Sequence, residues 1–113
     1  MKLSAYDIEC LQAAKQKIDK DISVHHSISE IAHHIGMGST RLKSAFKKYY
    51  GQGLYAYLLD QRMTKAKQLL TTSGKPIKVI AKECGFAYLS NFTAAFKKRF
   101  GKPPGVSRSS GLD

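Results

Sequence analysis

The sequence predicts an all-α fold, two helix-turn-helix subdomains joined by a long linker helix, about seven helices in total. Three observations carry this. Apolar residues recur at helical spacing along most of the 113 residues. The segment IAHHIGMGSTRLKSAFKKYYG (31–51) returns as IAKECGFAYLSNFTAAFKKRFG (80–101). In each copy a glycine, Gly36 or Gly85, directly follows the apolar stripe of a short helix. A left-handed residue there ends one helix and turns the chain into the next.

The elements follow in order. Residues 1–26 hold a leading helix and a linker, with Ile8, Leu11, Ala14, Lys15 and Ile18 on a face that packs on the first unit. The first helix-turn-helix spans 27–53. Ser27 caps its short helix while Glu30 reaches back, a capping box, and Ile28, Ile31, Ala32 and Ile35 form a one-sided stripe. On the helix after Gly36, Leu42, Ala45, Phe46 and Tyr49 share the inward side and Thr40, Lys43, Ser44 and Lys47 the other. Residues 54–73 read as a linker helix of about 18 residues and about 27 Å, with Leu58, Arg62, Ala66, Leu69 and Leu70 along a face and Gly74 and Pro76 closing it. Such a connector suits two units on one side of a DNA duplex, where major-groove faces recur about every 34 Å. The second helix-turn-helix spans 74–108. Pro76 stands where a first-turn proline is tolerated, Ile77, Ile80, Ala81 and Cys84 repeat the stripe, and Phe92, Ala95, Phe96 and Phe100 point inward. Residues 109–113 form a frayed tail. The copies are offset by 49 at Ile31/Ile80 and Gly36/Gly85 and by 50 at Phe46/Phe96 and Gly51/Gly101, so the second turn is one residue longer.

A chain this short builds a modest core and no large enclosed substrate cavity. Its formal net charge is +11, unevenly placed: residues 1–38 carry four basic and five acidic side chains, residues 39–113 fifteen and three. A localised positive field attracts polyanions and releases their counterions, which puts nucleic acid first among partner classes. Ribosomal or acidic-membrane partners use the same attraction. Cys10 and Cys84 lie far apart with no C-x-x-C pair, as expected of buried thiols in a reducing compartment without a disulfide. The longest apolar run, 54–59, falls far short of the ~20 residues of a membrane helix. The first ten residues lack the apolar core of a signal peptide. These features place the protein in the cytoplasm, at the nucleoid.

The outward faces of the two long helices carry the candidate DNA contacts. Short hydroxyls suit base-edge hydrogen bonds and lysines suit phosphates. Thr40, Lys43, Ser44 and Lys47 form the first set, and Ser90, Thr93, Ala94 and Lys97 the second, with Leu89 and Asn91 flanking. Lys47-Lys48 and Lys97-Lys98 sit near the helix C-termini, where phosphate contact and dipole complementarity each account for a cation. An enzyme finds no support. His25-His26 and His33-His34 have neither an H-E-x-x-H pattern nor zinc-spaced cysteines, and no glycine pattern makes a phosphate loop, so no catalytic residue, metal or cofactor is expected. A second reading is a basic helical adaptor that grips RNA or an acidic protein without sequence readout. Tyr49, Tyr50, Tyr55 and Tyr57 offer stacking surfaces for it, although Tyr49 and Tyr57 fall on core stripes.

The blocks I-A-x-x-I-G…L-x-x-x-F-K-K-x-x-G (31–51), Y-L-x-x-x-R-M-x-x-A-x-x-L-L (57–70) and P-I-x-x-I-A-x-x-x-G-F-x-x-x-S-x-F-x-x-x-F-K-K-x-F-G-x-x-P (76–104) resemble the C-terminal DNA-binding domain of the AraC/XylS family of bacterial transcription regulators. The resemblance covers about residues 27–108. It implies an all-helical domain whose two recognition helices enter adjacent major-groove segments of double-stranded promoter DNA and help to recruit RNA polymerase as an activator. Carried over by position, it points to Thr40, Arg41, Lys43 and Ser44 on the first reading helix and to Leu89, Ser90, Thr93 and Ala94 on the second. Many members carry Arg where this chain has Ser44 and Ala94, so base preference does not transfer. Members usually add an N-terminal sensing or dimerising domain. The 113 residues supply none, so they are expected to be a monomeric segment of a longer regulator.

Overall fold

The computed structural model describes residues 1–110. Seven α-helices and no strand occur among them: α1 Ala5–Lys20, α2 Ile28–Ile35, α3 Ser39–Tyr50, α4 Leu54–Thr72, α5 Ile77–Glu83, α6 Leu89–Phe100 and α7 Pro104–Ser110. Of the tail expected over 109–113, residues 111–113 lie outside the described residues. The chain divides into two compact units, residues 1–59 and 60–113, and α4 runs unbroken from one into the other.

The first unit is built from α1, α2, α3 and the opening turns of α4. Leu11, Ala14 and Ile18 of α1, Ile31 and Ala32 of α2, Leu42, Ala45 and Phe46 of α3, and Leu54, Tyr57 and Leu58 of α4 make one buried cluster. A complete capping box starts α1: the Asp7 N–H donates to Ser4 Oγ (3.1 Å) and the Ser4 N–H to Asp7 Oδ2 (2.8 Å). At α2, Ser27 Oγ accepts from the Glu30 N–H (3.1 Å), which is one half of the expected capping box; the Glu30 carboxylate does not reach back to the Ser27 N–H. Gly36 takes φ +79°, and the Met37 N–H returns to the Ala32 carbonyl at 3.0 Å, so the turn satisfies carbonyls that a helix end would otherwise leave open. From α1, Tyr6 Oη donates to the Gly36 carbonyl (3.1 Å) and Cys10 Sγ to that of Ile35 (3.4 Å), which ties the turn to the leading helix.

The second unit repeats the plan with α5 in the place of α2, α6 in that of α3, and the rest of α4 and α7 completing it. Met63, Ala66 and Leu70 pack with Ile80, Ala81, Cys84, Phe92 and Phe96. Gly85 has φ +93°, and the Phe86 N–H reaches the Ala81 carbonyl at 3.0 Å, as Met37 reaches Ala32. From the glycine to the next helix there are four residues, 85–88, against three, 36–38, the one-residue insertion read from the repeat. Pro76 caps α5, a position whose N–H no helical carbonyl needs. Arg62 lies against the turn: a Cβ on Gly85 would sit 2.7 Å from its Cζ, and the guanidinium is 5.8 Å from the Phe86 ring centre. Burial pulls the pKa of Arg62 down and pushes that of the Cys84 thiol up.

One inward assignment is corrected. Tyr49 is 42% exposed, and Tyr50 is the half-buried member of the pair, its ring 4.6 Å from that of Phe46. The last turn of α3 runs past the core, which continues on the Tyr50 side because Tyr57 returns there after Gly51–Gly53 and packs 6.0 Å from Phe46. Arg99, charged and exposed, holds the matching place in the second copy.

Candidate nucleic-acid interface

Burying Leu42, Ala45 and Phe46 on α3 turns the other side of that helix to water, and burying Phe92 and Phe96 does the same for α6. On α3 the exposed residues include Thr40, Arg41, Lys43, Ser44, Lys47 and Lys48. On α6 Leu89, Ser90, Asn91, Ala94, Lys97 and Lys98 are exposed and Thr93 is half-buried. Every candidate but the half-buried Thr93 is therefore exposed on one of the two helices.

The basic side chains divide into engaged and unengaged. Arg41 donates from Nη2 to Asp7 Oδ2 (2.6 Å) and from Nε to Asp7 Oδ1 (3.3 Å), a two-pronged pair with a side chain that is only 9% exposed. Arg41 and the Ser4 N–H hold the Asp7 carboxyl at about 2, well below its ordinary 3.8. Arg99 pairs with Asp60 (3.5 Å) and lies 5.2 Å from the Phe100 ring centre. The ammonium groups of Lys43, Lys47, Lys48, Lys97 and Lys98, in contrast, have no ion pair or hydrogen bond among the described residues. Unneutralised cations on two duplicated helix faces give each unit a surface suited to phosphate oxygens.

Sequence reasoning passed over Asp7 and Tyr88. The Ser4-x-x-Asp7 spacing was a legible capping signal, but its pairing with Arg41 joins residues 34 apart and no local pattern shows it. Tyr88 caps α6 without a side-chain hydrogen bond and is 69% exposed.

The chain is similar to the transcriptional regulator ExsA of Pseudomonas aeruginosa, 38% identical over 81 residues, which is 72% of this chain and 29% of ExsA. Its fold matches the C-terminal domain of AraT, a response regulator of Geobacillus stearothermophilus, with a TM-score of 0.87, 27% identity and coverage of 100% of this chain and 91% of that one. A family model described as a helix-turn-helix domain matches residues 31–110. The chain belongs to the AraC/XylS family. The DNA-binding domain of AdpA, a global transcriptional factor, in complex with a target DNA has a similar fold, with a TM-score of 0.83 at 21% identity, covering 88% of this chain and 90% of that one. The chain spans less than a third of the length of ExsA, so the match bears on this domain. No helix among the described residues is long and apolar enough to cross a membrane.

Proposed function

We propose that this AraC/XylS domain binds double-stranded promoter DNA sequence-specifically, with α3 and α6 in adjacent major-groove segments, and regulates bacterial transcription. The observation that carries the reading is the duplication itself: two helices, each buried on one side, each carrying hydroxyls in its first half and unpaired lysines near its end. That order suits a recognition helix, whose N-terminal residues meet base edges while flanking cations hold the backbone.

Thr40, Lys43 and Ser44 face bases from α3, and Leu89, Ser90, Asn91, Thr93 and Ala94 from α6. Lys47, Lys48, Lys97 and Lys98 face phosphates. Arg41, occupied by Asp7, fixes the position of α3 on α1 and so acts through the helix it anchors. RNA polymerase is the partner at the promoter, the nucleoid in the cytoplasm is the place of action, and the domain by itself is a monomer that catalyses nothing. Sedimentation of the 113-residue chain at micromolar concentration checks the last point: a single species of 12.5 kDa is expected, and a tight dimer would contradict it.

Competition at physiological salt tests the main claim. Unlabelled duplex should displace a labelled duplex well below the concentrations needed with single strands or RNA of the same length. Equal displacement by all three would favour the basic adaptor instead. Lys47→Ala or Lys97→Ala should weaken binding evenly across sequences and lower the slope of log K against log salt by about one per lost phosphate contact.

A further inference from the structure

The two recognition helices are copies offset by 50 residues, so each position on α6 has a counterpart on α3. At the start of α3 stand Gly38 and Ser39; at the start of α6 stand Tyr88 and Leu89. Tyr88 is 69% and Leu89 47% exposed, and neither joins the core that Phe92 and Phe96 build beneath them. Large apolar side chains held in water add nothing to folding, and the first copy shows that Gly and Ser suffice to start the helix. Further along the outward face, Lys43 of α3 is replaced by Thr93 and Ser44 by Ala94. No charged side chain appears on α6 before Lys97, about two turns in. Tyr88 and Leu89 thus lead a face that also carries Ser90, Asn91 and Thr93 and ends in cations.

We propose that α6 reads its DNA segment by apolar contact with thymine C5-methyl groups, made by Leu89, Ala94 and the ring of Tyr88, while Lys97 and Lys98 hold the flanking phosphates. This rests on the duplex-DNA reading above. Among base edges in the major groove the thymine methyl is the one apolar group, so the apolar side chains that lead this face gain most there. The cations at the far end of the same helix fit that occupant by charge. On α3 the leading side chains are Ser39, Thr40 and Lys43, which read by hydrogen bonding. The two helices therefore use different chemistry on their two boxes. Uracil lacks the methyl, which also sets this face against RNA.

The test uses the whole 113-residue chain and an operator selected from a randomised duplex library. Each thymine of the operator is replaced in turn by deoxyuridine, a change that removes only the methyl. Affinity is expected to fall about fourfold for each methyl buried against the protein at one or more positions of a single box. Leu89→Ser, which installs the residue of the first copy at an exposed site, should leave the melting temperature unchanged and shrink the thymine-over-uracil difference at that box alone. Equal affinity for thymine and uracil operators, or a selected operator with thymine in neither box, would overturn the methyl reading and leave duplex recognition standing. A difference that persists unchanged in Leu89→Ser and in Tyr88→Gly also overturns it. Failure to enrich any operator would overturn both readings.

Discussion

At the residue scale, two kinds of glycine separate. Gly51 and Gly85 both have positive φ, but a Cβ at Gly51 meets open space whereas one at Gly85 would lie 2.7 Å from the Arg62 guanidinium. Gly51→Ala should therefore cost only the left-handed backbone penalty, about 1–2 kcal/mol, and Gly85→Ala distinctly more, because Arg62 must also leave its place beside Phe86. Urea denaturation of both variants checks the order, and equal losses would show that Arg62 moves aside freely. The conformation of Gly85 was legible in the sequence, since a glycine directly after an apolar helical stripe announces a left-handed turn. The neighbour was not: Arg62 stands 23 residues earlier, on a helix whose pattern identifies a face without naming what it touches. Tyr49 makes the same point, because helical spacing gives an angle around the axis and not the place where the core ends.

At the element scale, α1 is held to α3 by the Asp7–Arg41 pair as well as by Leu11, Ala14 and Ile18. Because folding lowers the Asp7 pKa from 3.8 to about 2, the carboxylate contributes its full stabilisation above the ordinary value and loses it as pH falls through the lower one. Acid titration of stability should show a decline across that window in the native chain. Asp7→Asn should be less stable at neutral pH and lack that part of the decline; identical acid limbs would mean that the pair contributes nothing. Loss of the pair should also weaken DNA binding through the placement of α3. Beneath both recognition helices the core is more demanding: Phe96→Ala empties a fully buried site and is expected to cost about 3–5 kcal/mol. Helices α1 to α6 were legible from periodicity, caps and the internal repeat, down to the one-residue insertion, whereas α7, short and without an apolar stripe, was not. The function of the leading helix as a clamp on the turn was not, because it depends on Tyr6, Asp7 and Cys10 meeting Gly36, Arg41 and Ile35 across the fold.

At the scale of the whole molecule, charge and duplication act together. Fifteen of the nineteen basic residues follow residue 38, and the unpaired lysines of α3 and α6 are among them. A polyanion partner was thus legible from composition, and a duplex more specifically from two matching helix faces, whereas the bases preferred depend on contacts with DNA that side-chain identity alone does not rank. The measurement that bears most directly on sequence-specific reading by two helices is selection of binders from a randomised duplex library at physiological salt, where nonspecific attraction is weak. Two short enriched boxes about one helical turn apart are expected. No enrichment, with binding that vanishes as salt rises, would contradict it and reduce the domain to a basic helical surface.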